Sequence, residues 1–184
     1  VIRINKVNGS SQNLNKINSW SPELFTKGHR NPQGMAINPT TNEIWVNEHG
    51  PKGGDEINII KLGKNYGWPI VTFGEEYWGG KVGQGITTLK GFEDPIWYWV
   101  PSIAPSGMTF YDKNMFPEFK GNLLVSSLKF KSIYLVELKD GMPTKEKVLF
   151  KNRFGRIRDI EQLKDGSILV ISDEKKGGIY KIYR

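Results

Sequence analysis

Three stretches of this chain share one cadence. MAINPTTNEIWVNEHGPKGGDEINIIKL, GMTFYDKNMFPEFKGNLLVSSLKFKSIYLVEL and IRDIEQLKDGSILVISDEKKGGIYKIY each run strand, polar turn, strand, loop, strand. Their apolar segments are short, β-branched or aromatic, and partly alternating, as half-buried strands are. The turns NPTTNE, LKDGM and LKDGS punctuate them. IRINKV near the start and KVLFK read as further strands. Helical patterning does not recur, and the window from Met115 to Gly121 is too short and Pro-broken for a long helix. An all-β repeat of roughly 40 to 50 residues is the spacing of β-propeller blades. Three such units do not close a ring, since propellers typically need at least four blades. The chain therefore reads as all-β, about three blades of one β-propeller domain spanning 1–184. The stretch 70–98, rich in Gly, Trp and Tyr, breaks the cadence and reads as an inter-blade functional loop or insertion.

Composition narrows the function classes. With 184 residues, 38% hydrophobic and 24% charged, the sequence is globular. The formal net charge of +7 admits an anionic ligand, but the lysines are dispersed and no nucleic-acid signature occurs, so a nucleic-acid partner is not expected. The absence of cysteine removes disulfides, thiolate metal sites and cysteine nucleophiles. No apolar run approaches the ~20 residues of a membrane span, and no signal peptide is visible. The chain begins at Val1, in sequence that already reads as a strand and turn, so upstream sequence is expected.

Polar clusters at the strand ends are candidates for chemistry. In GHRNPQG, Gly28 and Gly34 bracket a bend, and Pro32 restrains Asn31. Such a loop either aims Arg30 at an anion or satisfies its own carbonyls. In NEHGPKGGDEIN, Gly50 and Pro51 interrupt regular pairing beside Glu48, Asp55 and Glu56. Carbonyls and carboxylates together suit Ca²⁺, but the spacing is not that of an EF-hand, and a polar turn is the alternative. Lys129 follows the strand LLVSSL, and Arg156 and Arg158 lie two apart, so on a strand they share a face. These cations either surround one polyanion or are separate surface charges. The consecutive rings Trp97, Tyr98 and Trp99 suit stacking on a flat ligand or packing in a core. With only two histidines, a His-rich metal site is excluded.

Six motifs occur in order: GHRNPQG at 28–34, EHGPKGGDEIN at 48–58, KNYGWP at 64–69, WVPSIAPSGM at 99–108, NLLVSSLK at 122–129 and RIRDI at 156–160. Together they resemble the soluble PQQ-dependent aldose sugar dehydrogenases of the glucose/sorbosone dehydrogenase family, which are six-bladed β-propellers. The resemblance covers that family's C-terminal half and lies closer to its aldose dehydrogenase branch, because the long insertions of the glucose dehydrogenases are missing.

The resemblance implies that Arg30, Asn31, Lys129, Arg156 and Arg158 contact PQQ, with Arg30 the more direct of the first two. It implies that the Gly50 and Pro51 carbonyls hold the Ca²⁺ that also holds PQQ, and that Glu56 serves a second Ca²⁺ site. Trp97, Tyr98 and Trp99 match the neighbourhood that flanks the sugar. The implied reaction is oxidation of an aldose at C1, with hydride passing to PQQ and electrons then to an external acceptor, in a periplasmic or secreted setting. The family's catalytic His base belongs to the N-terminal half. Neither His29 nor His49 occupies its motif, so the isolated chain is expected to be inactive and to need the N-terminal half or a second copy of itself. The alternative reading is a non-catalytic propeller module for binding.

Overall fold

A computed structural model describes residues 1–11 and 20–184. Among them, eleven strands form three antiparallel sheets. The first sheet is a meander of β1 (Pro32–Ile37), β2 (Ile44–Glu48), β3 (Asp55–Ile60) and β4 (Trp97–Trp99). The second repeats it with β5 (Pro105–Tyr111), β6 (Asn122–Ser127), β7 (Ser132–Lys139) and β8 (Met142–Leu149). The third has β9 (Ile157–Gln162), β10 (Ile168–Ser172) and β11 (Ile179–Ile182). The three repeats seen in the sequence are the first three strands of each sheet. The fold is a β-propeller, and each sheet is a blade.

The apolar periodicity explains the packing. Successive strand residues face opposite ways, so a blade sandwiched between two others must be apolar on both faces. In β6, Leu123 and Val125 meet Trp45, Ile57 and Phe110 between the first and second blades. Leu124 turns the other way, to Ile157, Ile168 and Val170 between the second and third. The outer face of the first blade buries Val46, Ile60 and Tyr66 beneath Val1 and Phe25.

The inner strands β1, β5 and β9 lie side by side along the axis. A Cβ added at Gly34 would come within 2.3 Å of the Ser106 carbonyl, and one at Gly107 would strike Asp159. Side chains then stitch the blades together. Buried Asn47 accepts from the Gly34 amide at 3.0 Å and donates to the Ser106 carbonyl at 2.7 Å. The Ser106 hydroxyl donates to the Ile157 carbonyl at 2.6 Å.

Two expectations change. Among the described residues, IRINKV makes only isolated bridges, Ile2 with Leu24 and Ile4 with Ser11, and joins none of the three sheets. The 70–98 stretch does not lie between blades. It connects β3 to β4 within the first blade, and its end enters β4, where Trp97 pairs with Ile57 and Tyr98 with Glu56.

Candidate cofactor and metal site

Antiparallel meanders bring alternate connections to one end of each blade. That end carries 28–31 and 49–54 from the first blade, and 100–104 and 128–131 flanking the second. The third contributes 150–156 and 173–178. All the candidate cations lie on this face.

The loop after β2 is built on close backbone contacts. A Cβ at Gly50 would come within 2.1 Å of the Gly53 carbonyl and 2.4 Å of the Gly54 carbonyl, so only glycine fits. Asp55, fully buried, anchors this loop. Its Oδ1 accepts from the Gly50 amide at 3.1 Å. Its Oδ2 accepts from the Ser102 hydroxyl at 2.7 Å and from the amides of Ile103 and Ala104 at 2.8 and 3.0 Å. Ala104 stands at φ +50°, a conformation costly for a residue with a Cβ. The hydrogen bond to its amide helps to hold it there.

Both histidines have structural partners. His29 stacks on Tyr66 and bonds through Nδ1 to Glu48 and through Nε2 to the Thr26 hydroxyl, each at 2.8 Å. His49 Nε2 lies 2.6 Å from the Pro105 carbonyl, joining the first blade to the second. Buried Glu48 also accepts from the Arg30 amide at 2.6 Å, fixing where the Arg30 side chain begins.

From there Arg30 reaches over the Gly50 loop. Its Nη1 donates to the Gly50 carbonyl at 2.8 Å and to the His49 carbonyl at 3.3 Å. Its Nη2 meets the Tyr77 hydroxyl at 3.3 Å, and its plane lies over the Trp68 ring at 5.2 Å. Beside it opens a cleft of about 520 Å³, lined by Gly50, Pro51, Tyr77, Ser102, Ala104 and Lys129 among others. The structure thus joins Gly50, Pro51 and Lys129 in one cleft with Arg30 at its edge.

Arg156 and Arg158 lie elsewhere on the same face. Arg158 reaches Gln33 of the first blade at 3.3 Å and Asp173 of its own blade at 2.7 Å. Arg156 is 3.6 Å from the same Asp173 carboxylate, whose pKa the hydrogen bond from Arg158 lowers. Arg158 lines a second groove, along the axis, of about 320 Å³ with Gln33 and Asp159. Exposed Asn31 accepts from Gln33 through its Oδ1 and from the His49 amide through its carbonyl. The candidate cations thus fall into two groups, Arg30 and Lys129 at the first cleft and Arg156 and Arg158 at Asp173.

The three consecutive rings separate by strand alternation. Trp97 and Trp99 face the core between blades, Trp99 with its indole N–H on Glu146 at 2.6 Å. Only Tyr98 is exposed, stacked on Phe73 with centroids 4.0 Å apart. The expectation that all three flank a substrate is corrected for Trp97 and Trp99. Their side of β4 is the side that closes the core.

Glu56 sits beneath the Gly50 loop, opposite Glu48 across the β2–β3 ladder. It lines a small void of about 10 Å³ with Glu48, Gly50, Gly54 and Tyr66, room for roughly one water or ion. Burial, with Glu48 and Asp55 nearby, pushes its pKa up to about 8 despite the hydrogen bond from Asn58. Among the described residues, the buried Asn58 Oδ1 has no hydrogen-bond partner. Among the described residues, no three His, Asp or Glu side chains gather as a metal cluster. Any metal bound here would draw on backbone carbonyls.

Tyr77, Ser102 and Asp173 were not singled out from the sequence. The clue for Tyr77 was an aromatic in the Gly-rich turn GEEYWGG. For Asp173 it was a carboxylate directly after β10.

The fold is a propeller whose loop face sets the Gly50 and Pro51 segment, Lys129 and Arg30 at one cleft. The chain belongs to the glucose / sorbosone dehydrogenase family, whose sequence model matches residues 1–181. It is 42% identical over 161 residues to the aldose sugar dehydrogenase YliI of Escherichia coli K12, covering 87% of this chain and 43% of that protein. It is 27% identical over 240 residues to quinoprotein glucose dehydrogenase B of Acinetobacter calcoaceticus, covering 98% of this chain and 49% of that one. A crystal structure of a glucose dehydrogenase superposes with a TM-score of 0.92 at 36% identity, covering all of this chain and 54% of that chain. The chain spans about half the length of the curated relatives it matches.

Proposed function

We propose that this chain forms the cofactor- and metal-holding part of a PQQ- and Ca²⁺-dependent dehydrogenase that oxidises an aldose at C1. The observation that carries this reading is the cleft in which the Gly50 and Pro51 segment, Lys129 and Arg30 meet, in a chain of this family. The donor set fits the group. The Gly50 carbonyl already attracts a cation, the Arg30 guanidinium, and hard cations favour carbonyl oxygen. PQQ is a planar tricarboxylate, and burying its charge requires paired cations. Arg30, Lys129, Arg158 and Arg156 supply them, with Asn31 next to Arg30.

When bound, PQQ accepts a hydride from the sugar and passes electrons to an external acceptor. This chain's residues bind and orient. Lys129 and Arg30 place positive charge in and beside the cleft. Asp55 fixes the Gly50 loop against Ser102 and Ala104. Tyr98, exposed on Phe73, offers a face for a sugar ring. Glu56, with the unpartnered Asn58 Oδ1, offers oxygen donors for a second Ca²⁺. Proton removal from the sugar falls to a His base outside this chain, since His29 and His49 are occupied. The chain alone is then inactive and works with an N-terminal half or a second copy, in a periplasmic or secreted setting. Among the described residues no helix is long and apolar enough to cross a membrane.

The test has two arms. PQQ absorbance titrated with the chain and Ca²⁺ should show saturable binding that Lys129→Ala weakens. Dye-linked aldose oxidation should be absent with the chain alone and appear when an N-terminal half from a relative is added. Failure of PQQ to bind with Ca²⁺ present would overturn the reading.

A further inference from the structure

The seat of the Arg30 guanidinium is the same oxygen that a metal in this cleft requires. Nη1 donates to the Gly50 and His49 carbonyls, Nη2 meets the Tyr77 hydroxyl, and the Trp68 ring supports the plane. Four partners hold one cation, and the side chain starts from an amide fixed by Glu48. Ca²⁺ binds oxygen at about 2.3–2.6 Å. An ion on the Gly50 carbonyl would therefore lie within about 5 Å of Arg30 Nη1 if the guanidinium stayed, with like charges facing across a partly buried cleft.

We propose that Arg30 and Ca²⁺ compete for the Gly50 carbonyl, so that Arg30 sets the affinity for the metal and must move aside when it binds. This rests on the calcium reading above and goes beyond it. The guanidinium is an internal competitor whose release is coupled to occupation of the cleft. An anionic ligand that draws Arg30 toward itself frees the carbonyl, and Ca²⁺ on the carbonyl frees Arg30 for the anion. By linkage the two effects are equal in size. Tyr77, from the loop between β3 and β4, is a positioning residue in this scheme because it tethers the guanidinium over the carbonyls.

The experiment is calorimetric titration of the 184-residue chain, stripped with EDTA, with CaCl₂ alone. A Glu56→Gln background confines the signal to the Gly50 loop. Arg30→Met removes the competitor and keeps an apolar stem over Trp68. It should lower the Kd for Ca²⁺ at least about fivefold. A mere through-space charge effect is screened at high ionic strength, so the gain should persist at 0.5 M KCl. Tyr77→Phe leaves the charge in place but loosens the seat, and should give a smaller gain in the same direction. It carries the test if Arg30→Met fails to fold, as judged by its melting curve. Unchanged or weaker Ca²⁺ binding in both variants, or a gain that vanishes at 0.5 M KCl, would overturn the competition while leaving the calcium site standing. No Ca²⁺ binding in any arm would overturn the calcium reading and this inference together.

Discussion

The carboxylate of Asp55 accepts the hydroxyl of Ser102 at 2.7 Å, joining two loops that lie 47 residues apart in sequence. With the amides of Gly50, Ile103 and Ala104 on the same carboxylate, one buried side chain fixes the floor of the cleft. Asp55→Ala orphans these donors. Hydrogen bonds to charged groups contribute about 1.5–3 kcal/mol each but overlap strongly, so we expect a loss of about 3–5 kcal/mol in urea unfolding, and loss of Ca²⁺ binding with it. A loss under 1 kcal/mol would mean the loops hold themselves.

Gly50→Ala places a methyl against the Gly53 and Gly54 carbonyls. Backbone must move, at a cost of about 1–3 kcal/mol, and the Gly50 carbonyl turns away from the cleft. We expect Ca²⁺ affinity to fall at least tenfold while circular dichroism at 20 °C keeps its β signature. Wild-type affinity in this variant would remove Gly50 from the metal site.

Glu56 gives stability a pH dependence. Its pKa is raised from 4.5 to about 8 in the folded chain. Between those values the folded state keeps a proton that the unfolded state has released. Stability therefore falls as pH rises from about 4.5, and the loss is complete above about 8. Glu56→Gln carries no such charge. In EDTA, the melting temperature of the variant minus that of wild type should increase from pH 5 to pH 8. A flat difference would show that Glu56 is ionised throughout.

The aromatic triplet gives an internal control. Trp99→Ala empties a packed core position and should cost about 3–5 kcal/mol. Tyr98→Ala, on the exposed face, should cost under about 1 kcal/mol yet raise KM for the sugar in the assembled enzyme. Equal stability losses would contradict the alternation of β4.

Much of the fold was legible because blade strands carry their burial in their pattern. The run NLLVSSL is apolar on both faces because blades cover both sides of β6. IRINKV has the same local pattern yet, among the described residues, joins none of the three sheets, and pattern alone does not reveal whether a strand will find a partner. The site was legible as a set of residue types, not as a shape. Arg30 and Lys129 share a cleft region, whereas Arg156 and Arg158 share Asp173. That division rests on partners distant in sequence, Gly50 for Arg30 and Asp173 for Arg158, which no short motif encodes. The placement of 70–98 was missed for a similar reason. Three residues of β4, which starts at Trp97, complete a sheet whose previous strand ended at Ile60, too short a strand for periodicity to mark.

The bonds along the axis have a consequence for how such a protein changes over time. Asn47 to Ser106 and Ser106 to Ile157 tie successive blades at their spine, just beneath the ligand face. Together with Asp55 and His49, the spine keeps the loops in mutual register. Within 70–98, Glu75 and Tyr77 are bonded to Lys52 and Arg30, whereas the turn at Gly79, Gly80 and Gly83, where an added Cβ would meet no neighbour, can vary without disturbing the Gly50 loop. New substrate preferences can be tried there one loop at a time, while the cation-bearing segments beside it stay in place.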